Sequence, residues 1–121
     1  MIETVIYSYL SNNQNIKSIV DNRIYPMILP QKPQFPAITY QKISGPRINS
    51  KSGDSGLSYP RIQFNCWGKT YLEAKQVAMV VIDAMNKFTN GEATIQDEHD
   101  SYEPDTNLFY ISVDFIIWYN E

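Results

Sequence analysis

Little in this chain of 121 residues is equipped for chemistry. It has one cysteine, Cys66, and one histidine, His99. A lone cysteine excludes an intrachain disulfide and any cysteine cluster able to hold zinc or an iron–sulfur centre. Glycine is scarce, at five residues, and falls into neither GxGxxG nor GxxxxGK[ST], so no phosphate cradle is expected. HExxH, GxSxG and internal repeats are missing too. No apolar run approaches the roughly 20 residues needed to cross a bilayer. The opening MIETVIYSYL has neither the basic nor the long apolar part of a signal peptide, so the expectation is a chain made and used in a cytoplasm, without a membrane partner.

Positive charge is also in short supply. The net charge is −3, the wrong sign for a protein whose whole surface grips nucleic acid. The distribution is uneven. Up to Pro60, Lys17, Arg23, Lys32, Lys42, Arg47 and Lys51 stand against Glu3, Asp21 and Asp54. From Arg61 onward four basic residues face ten acidic ones. Such an imbalance suits a head-to-tail assembly, one subunit's basic side meeting the next one's acidic side. Equally, the two signs mix in the folded monomer.

What the chain does have is the composition of a globular domain, 43% hydrophobic and 19% charged, in a length that fits one domain over 1–121. Ile2, Val5, Ile6, Tyr9 and Leu10 recur at helical spacing, and SNNQN stops that helix. A short second turn is expected over Ile16 to Val20. In RIYPMILPQKPQFPAITYQKIS four prolines hold the chain extended and leave a strand from Ala37 to Ser44. GPRINSKSGDSGLS, from Gly45 to Ser58, reads as a long flexible loop between two strands. In that loop Arg47, Asn49, Lys51 and Asp54 are the candidates for lining a channel, touching DNA in transit or contacting a partner.

YPRIQFNCW alternates, with Ile62, Phe64 and Cys66 on one face and Arg61, Gln63 and Asn65 on the other. Cys66 therefore reads as a small buried hydrophobe. It lies four residues before the expected N-cap, outside the reach of a helix dipole. Thr70 and Glu73 form a T-x-x-E capping box, which starts a helix at Tyr71 that runs to about Phe88. Its apolar arc covers a sheet, and Met79 falls on the polar side, as a candidate subunit contact or an ordinary exposed methionine. Ala93 to Tyr119 reads as a hairpin turning at EPDTN, with Phe109, Ile111, Val113, Phe115 and Ile117 facing the core. The opposite face, with Ile116 and Trp118, suits a surface half covered by a partner. Alternation splits the DEHD run, Asp97 and His99 to one side and Glu98 and Asp100 to the other. Only two ligands converge on either side, so no metal site is expected. Asp97, Glu98, Asp100 and Glu103 read instead as an acidic solvated or interface edge. The expected fold class is α+β: a mixed or mainly antiparallel sheet with an N-terminal helix and one long amphipathic helix on one face.

The order of these elements, with PAITYQKIS, the glycine–serine stretch and PRIQFNCWGKTYLEAKQVA, resembles the tail-completion, or tail-terminator, proteins of long-tailed bacteriophages and prophages. In that family the strand-to-helix run has the form R-[VI]-Q-[IF]-x-C-W-[AG]-K-T-Y-x-E-A. Arg61 to Ala74 follows it throughout; Asn65 and Gly68 stand where an acidic residue and an alanine are the commonest choices, both at surface or turn positions. The resemblance implies a non-enzymatic structural protein with no catalytic residue and no cofactor. Such a protein forms a ring, a hexamer in the family, that caps the tail tube and joins it to the head. The implied partners are further copies of the chain, the tail-tube protein and a head-completion or connector protein. The implied places are the bacterial host cytoplasm during assembly and then the head–tail junction of the virion. Cys66 and Trp67 become the hinge between sheet and helix, with Gly68 permitting the turn. Two alternatives stand beside this reading: another neck or head-closure component, and a small cytoplasmic enzyme or ligand-binding domain using Cys66 and His99.

Overall fold

The computed structural model describes residues 1–44, 47–50 and 53–120, with side chains described outside 45–58 and 120. Among the described residues, three helices and seven strands follow in the order α1 (Ile2–Ser11), α2 (Gln14–Val20), β1 (Ile24–Pro26), β2 (Ala37–Ser44), β3 (Arg47–Ser50), β4 (Gly53–Ser58), β5 (Arg61–Gly68), α3 (Tyr71–Asn86), β6 (Glu92–Glu103) and β7 (Leu108–Asn120). The fold is α+β, and the sheet is mixed: β1 pairs with β2 in parallel and every other described pairing is antiparallel.

Helix α1 buries Ile2, Ile6 and Leu10, one residue per turn on a single stripe. Asn13 starts α2 by accepting the Ile16 N–H at 3.1 Å. At the head of α3, Thr70 Oγ1 accepts the Glu73 N–H at 3.1 Å, and Glu73 Oε1 accepts the Lys69 N–H at 2.9 Å. One donor of the first turn and one just ahead of the cap are thereby satisfied, and the capping box reaches one residue further back than its usual form. The helix ends at Asn86, two residues short of expectation, although Phe88 still enters the core.

The core lies between one face of the sheet and the three helices. Ile62, Phe64 and Cys66 of β5 and Ile111, Val113, Phe115 and Ile117 of β7 are fully buried there against Ala74, Val77, Ala78 and Val81 of α3. Phe109, expected among them, is only half-buried, because it stands where β7 begins. Gly68 is required by space: a Cβ on it would meet the Ala74 nitrogen at 2.6 Å. A side chain there would push the helix start off the strand.

The segment 45–58 departs from the sequence expectation. Its described parts form strands β3 and β4, paired through Arg47↔Ser58, Asn49↔Asp54 and Ser50↔Gly53. Strand β4 joins the end of β7 at Leu57↔Asn120 and Ser58↔Tyr119. The polar, glycine-rich composition suggested a loop, but a hairpin arm needs few apolar residues when backbone pairing continues from the strands on either side. Lys51 lies outside the described residues.

Candidate assembly interface

The sheet has one covered face and one bare one. All three helices pack on the side of Cys66 and Phe115, and the reverse face presents cross-strand rows of polar and aromatic side chains. Trp67 donates from Nε1 to Thr39 Oγ1 at 3.0 Å and stacks on Tyr110 at 4.5 Å between ring centroids. Ser112 donates to Asn65 Oδ1 at 2.7 Å, and Gln41 and Gln63 approach at 3.4 Å. Tyr59 stacks on Trp118 at 4.6 Å. These rows follow from the register, which sets Thr39 beside Asn65 and Asn65 beside Ser112.

Among the described residues of this bare face Asp114 is the one buried charge, its side chain 7% exposed. Arg61 holds one of its oxygens through Nε at 3.2 Å and Nη2 at 2.9 Å. The other oxygen accepts no hydrogen bond among the described residues. Asp97 of β6 stands directly across from Asp114 in the register.

The acidic residues of β6 fall on two sides, as alternation requires. Toward the helices, Lys75 of α3 reaches Asp100 at 2.9 Å and Glu98 at 3.5 Å, and the Tyr71 hydroxyl donates to Asp100 at 2.7 Å. The hydrogen bond from Lys75 holds the Asp100 carboxyl below its ordinary range. The same bond holds the Lys75 ammonium above its own. On the bare side Asp97 lies 3.5 Å from His99. Glu103 accepts from Thr106 at 2.6 Å next to the turn. Among the described residues no three His, Cys, Asp or Glu side chains converge on a metal-sized space.

Cys66 and His99 are brought to opposite faces. Cys66 is fully buried on the helix side, where desolvation pushes its thiol well above the ordinary range. His99 is exposed beside Ser112 on the bare side. The sheet lies between them, so they form no nucleophile–base pair.

Of the other expected contact residues, Met79 projects from the outer side of α3 at 68% exposure, and Trp118 and Ile116 sit at the margin of the bare face. Arg47 and Asn49 belong to β3 and Asp54 to β4. One exposed apolar element escaped the sequence reading. Met27 and Ile28 are 63% and 75% exposed and are presented by a tight turn in which Met27 has φ 68° and the Ile28 N–H donates to the Pro26 carbonyl at 2.8 Å. A positive φ at a methionine is strained backbone. The signal for it was the run PMILP, apolar throughout between two prolines. A separate cleft of about 460 Å³, lined by Pro33, Phe35, Lys69 and Leu108 among others, opens near the β6–β7 turn.

The sequence profile of the family described as "Tail completion protein gp17" matches residues 4–120. Among solved structures the fold is similar to a chain in the "Virion of native gene transfer agent (GTA) particle", with a TM-score of 0.72 at 14% identity, covering 96% of this chain and 92% of that one. No curated protein matches in sequence.

Proposed function

This chain belongs to the tail-completion protein gp17 family of phage tail structural proteins, and on that premise we propose that it is a non-enzymatic tail terminator, a ring that caps the finished tail tube and offers the surface by which tail joins head. The observation that supports this reading is that family similarity spans residues 4–120, nearly the whole length given. The open, polar sheet face and the β3–β4 arm are features that a subunit without a catalytic centre uses to meet neighbours. The ring is a hexamer of identical subunits. Its partners are the tail-tube protein on one side and a head-completion or connector protein on the other. It assembles in the bacterial host cytoplasm, from phage or prophage genes, and remains at the head–tail junction of the virion. The β3–β4 arm, with Arg47, Asn49 and Asp54, lines the channel or touches the adjoining ring, and Arg47 meets DNA phosphates only in passing.

The test is a tube-growth assay with purified tail tubes. Addition of the chain should stop further addition of tube subunits, with a ring mass bound at one end only. Tubes that keep lengthening at saturating chain concentration would refute the capping role. Binding to head connectors but not to tubes would move the chain to the head-closure side of the neck.

A further inference from the structure

Two edges of the sheet lack a strand partner among the described residues. Strand β6 pairs only with β7 along its 12 residues, so its outer edge is open. On the other side β1 covers β2 only from Ile38 to Tyr40. That leaves Gln41–Ser44, and beyond them Arg47–Ser50 of β3, as a second open edge. The two edges lie at the same end of the molecule. Thr94 pairs with Ile116, Ile116 with Arg61 and Arg61 with Ser44, a single row that runs from one open edge to the other. Open edges of this length invite pairing with another chain, and soluble proteins rarely leave two of them without a use.

Direction and charge decide which edge meets which. β6 runs antiparallel to β7. β2 and β3 each lie two antiparallel steps from β7 and so run with it. A rotation about an axis along the strands preserves these directions and brings β2–β3 of one copy beside β6 of the next in antiparallel sense. β6 carries Glu92, Asp97, Glu98, Asp100 and Glu103, so pairing it with its own kind in a two-fold dimer sets acid against acid. The β2–β3 edge carries Lys42 and Arg47 and no acid over its described residues. The half of β6 from Glu92 to Asp97 ends at a bulge between Ile95 and Asp97 that re-aims the rest of the strand.

We propose that, in the ring inferred above, the Glu92–Asp97 edge of one copy pairs antiparallel with the edge formed by residues 41–44 and 47–50 of the next, so that neighbouring sheets form one continuous closed sheet. This inference rests on the ring reading. At that row each copy contributes the four strands β6, β7, β5 and β2. At about 4.8 Å per strand, six copies give about 115 Å of circumference and about 37 Å between opposite backbones before strand tilt widens it. A barrel of about 24 strands is wider than those that already enclose water. The bare face, through its partly exposed Gln63, Asn65, Trp67 and Tyr110, then lines the bore, and the helices form the outside.

Hydrogen exchange on the assembled chain tests the edges directly. Compared with dispersed subunits, amides in 41–44, 47–50 and 92–97 should slow by about tenfold or more in the ring. A ring mass with unchanged exchange at those amides overturns this joint and leaves the ring standing. No oligomer at high concentration or on tail tubes overturns both. Charge reversal supplies the second measurement. Lys42→Glu with Arg47→Glu, or Glu92→Lys with Asp97→Lys, should disperse the ring, and all four together should restore it, each variant being checked for an unchanged melting curve. Folded subunits whose assembly ignores these reversals, or is not restored by the fourfold swap, would show that the copies meet elsewhere.

Discussion

The two faces of the sheet are made by different rules. On the covered face each residue is chosen for apolar volume, and its neighbours across the core come from α1, α2 and α3. On the bare face each residue is chosen for the side chain next to it on the adjoining strand: indole against hydroxyl, amide against hydroxyl, guanidinium against carboxylate. The covered face is held by burial, which is insensitive to direction, and the bare face by pairs whose loss strands a partner. A substitution therefore costs what is left behind as much as what is removed.

The largest effect is expected on the covered face. Phe115→Ala should lower stability by about 3 to 5 kcal/mol, read from a denaturant or thermal melt, because Phe115 is fully buried and packs edge-on against Phe64 at 6.0 Å. An unchanged midpoint would mean that the face is not the core. Next comes the bare face: Arg61→Ala should cost about 2 to 3 kcal/mol, less than a fully buried pair because the Arg61 side chain is 37% exposed. Adding Asp114→Asn should recover part of that loss, since the penalty is the uncompensated carboxylate. No recovery would assign the loss to the packing of the arginine stem instead.

A smaller effect returns to the covered face. Cys66→Ala should cost about 1 to 2 kcal/mol and leave tail assembly intact, since the thiol is walled off from solvent and from His99. Native-state alkylation should proceed only as fast as unfolding. Rapid labelling, or a folded variant that no longer assembles, would reopen a functional role for the sulfur.

The covered face was legible in the sequence because its signals are local. Alternation over Ile62, Phe64 and Cys66, the turn-by-turn spacing of Ile2, Ile6 and Leu10, and the capping box at Thr70 and Glu73 each report burial within one element. The bare face was not, because its partners lie far apart in the chain, by 28 residues for Trp67 with Thr39 and 53 for Arg61 with Asp114. Which strands are neighbours has to be known first. The β3–β4 arm was missed for the same reason: RINS and GDSGLS have little strand propensity, and they pair as continuations of β2 and β5. The DEHD run was split correctly into two faces, but nothing in its spacing announced that Lys75, from the helix before it, would bridge Glu98 and Asp100.

That bridge gives the smallest effect, and its sign can be worked out from charge alone. The hydrogen bond from Lys75 lowers the Asp100 carboxyl from its ordinary value, so the folded state favours the ionised form. The stability this contributes is present above the ordinary carboxylate pKa of about 4 and disappears as pH falls through the depressed value. Lys75 itself is raised, so its share is complete at neutral pH and is lost only on the far alkaline side. Lys75→Met keeps most of the side chain's apolar stem and removes the charge. Its melting temperature should therefore lie slightly below that of the native chain at neutral pH, a small gap because the pair is on the surface. The gap should persist down to about pH 4 and close below it, where Asp100 takes up its proton in both states. A gap that stays constant through that acid range would show that Lys75 supports the α3–β6 contact by its stem over the Tyr71 ring, where its nitrogen lies 5.5 Å from the centroid, and not by charge.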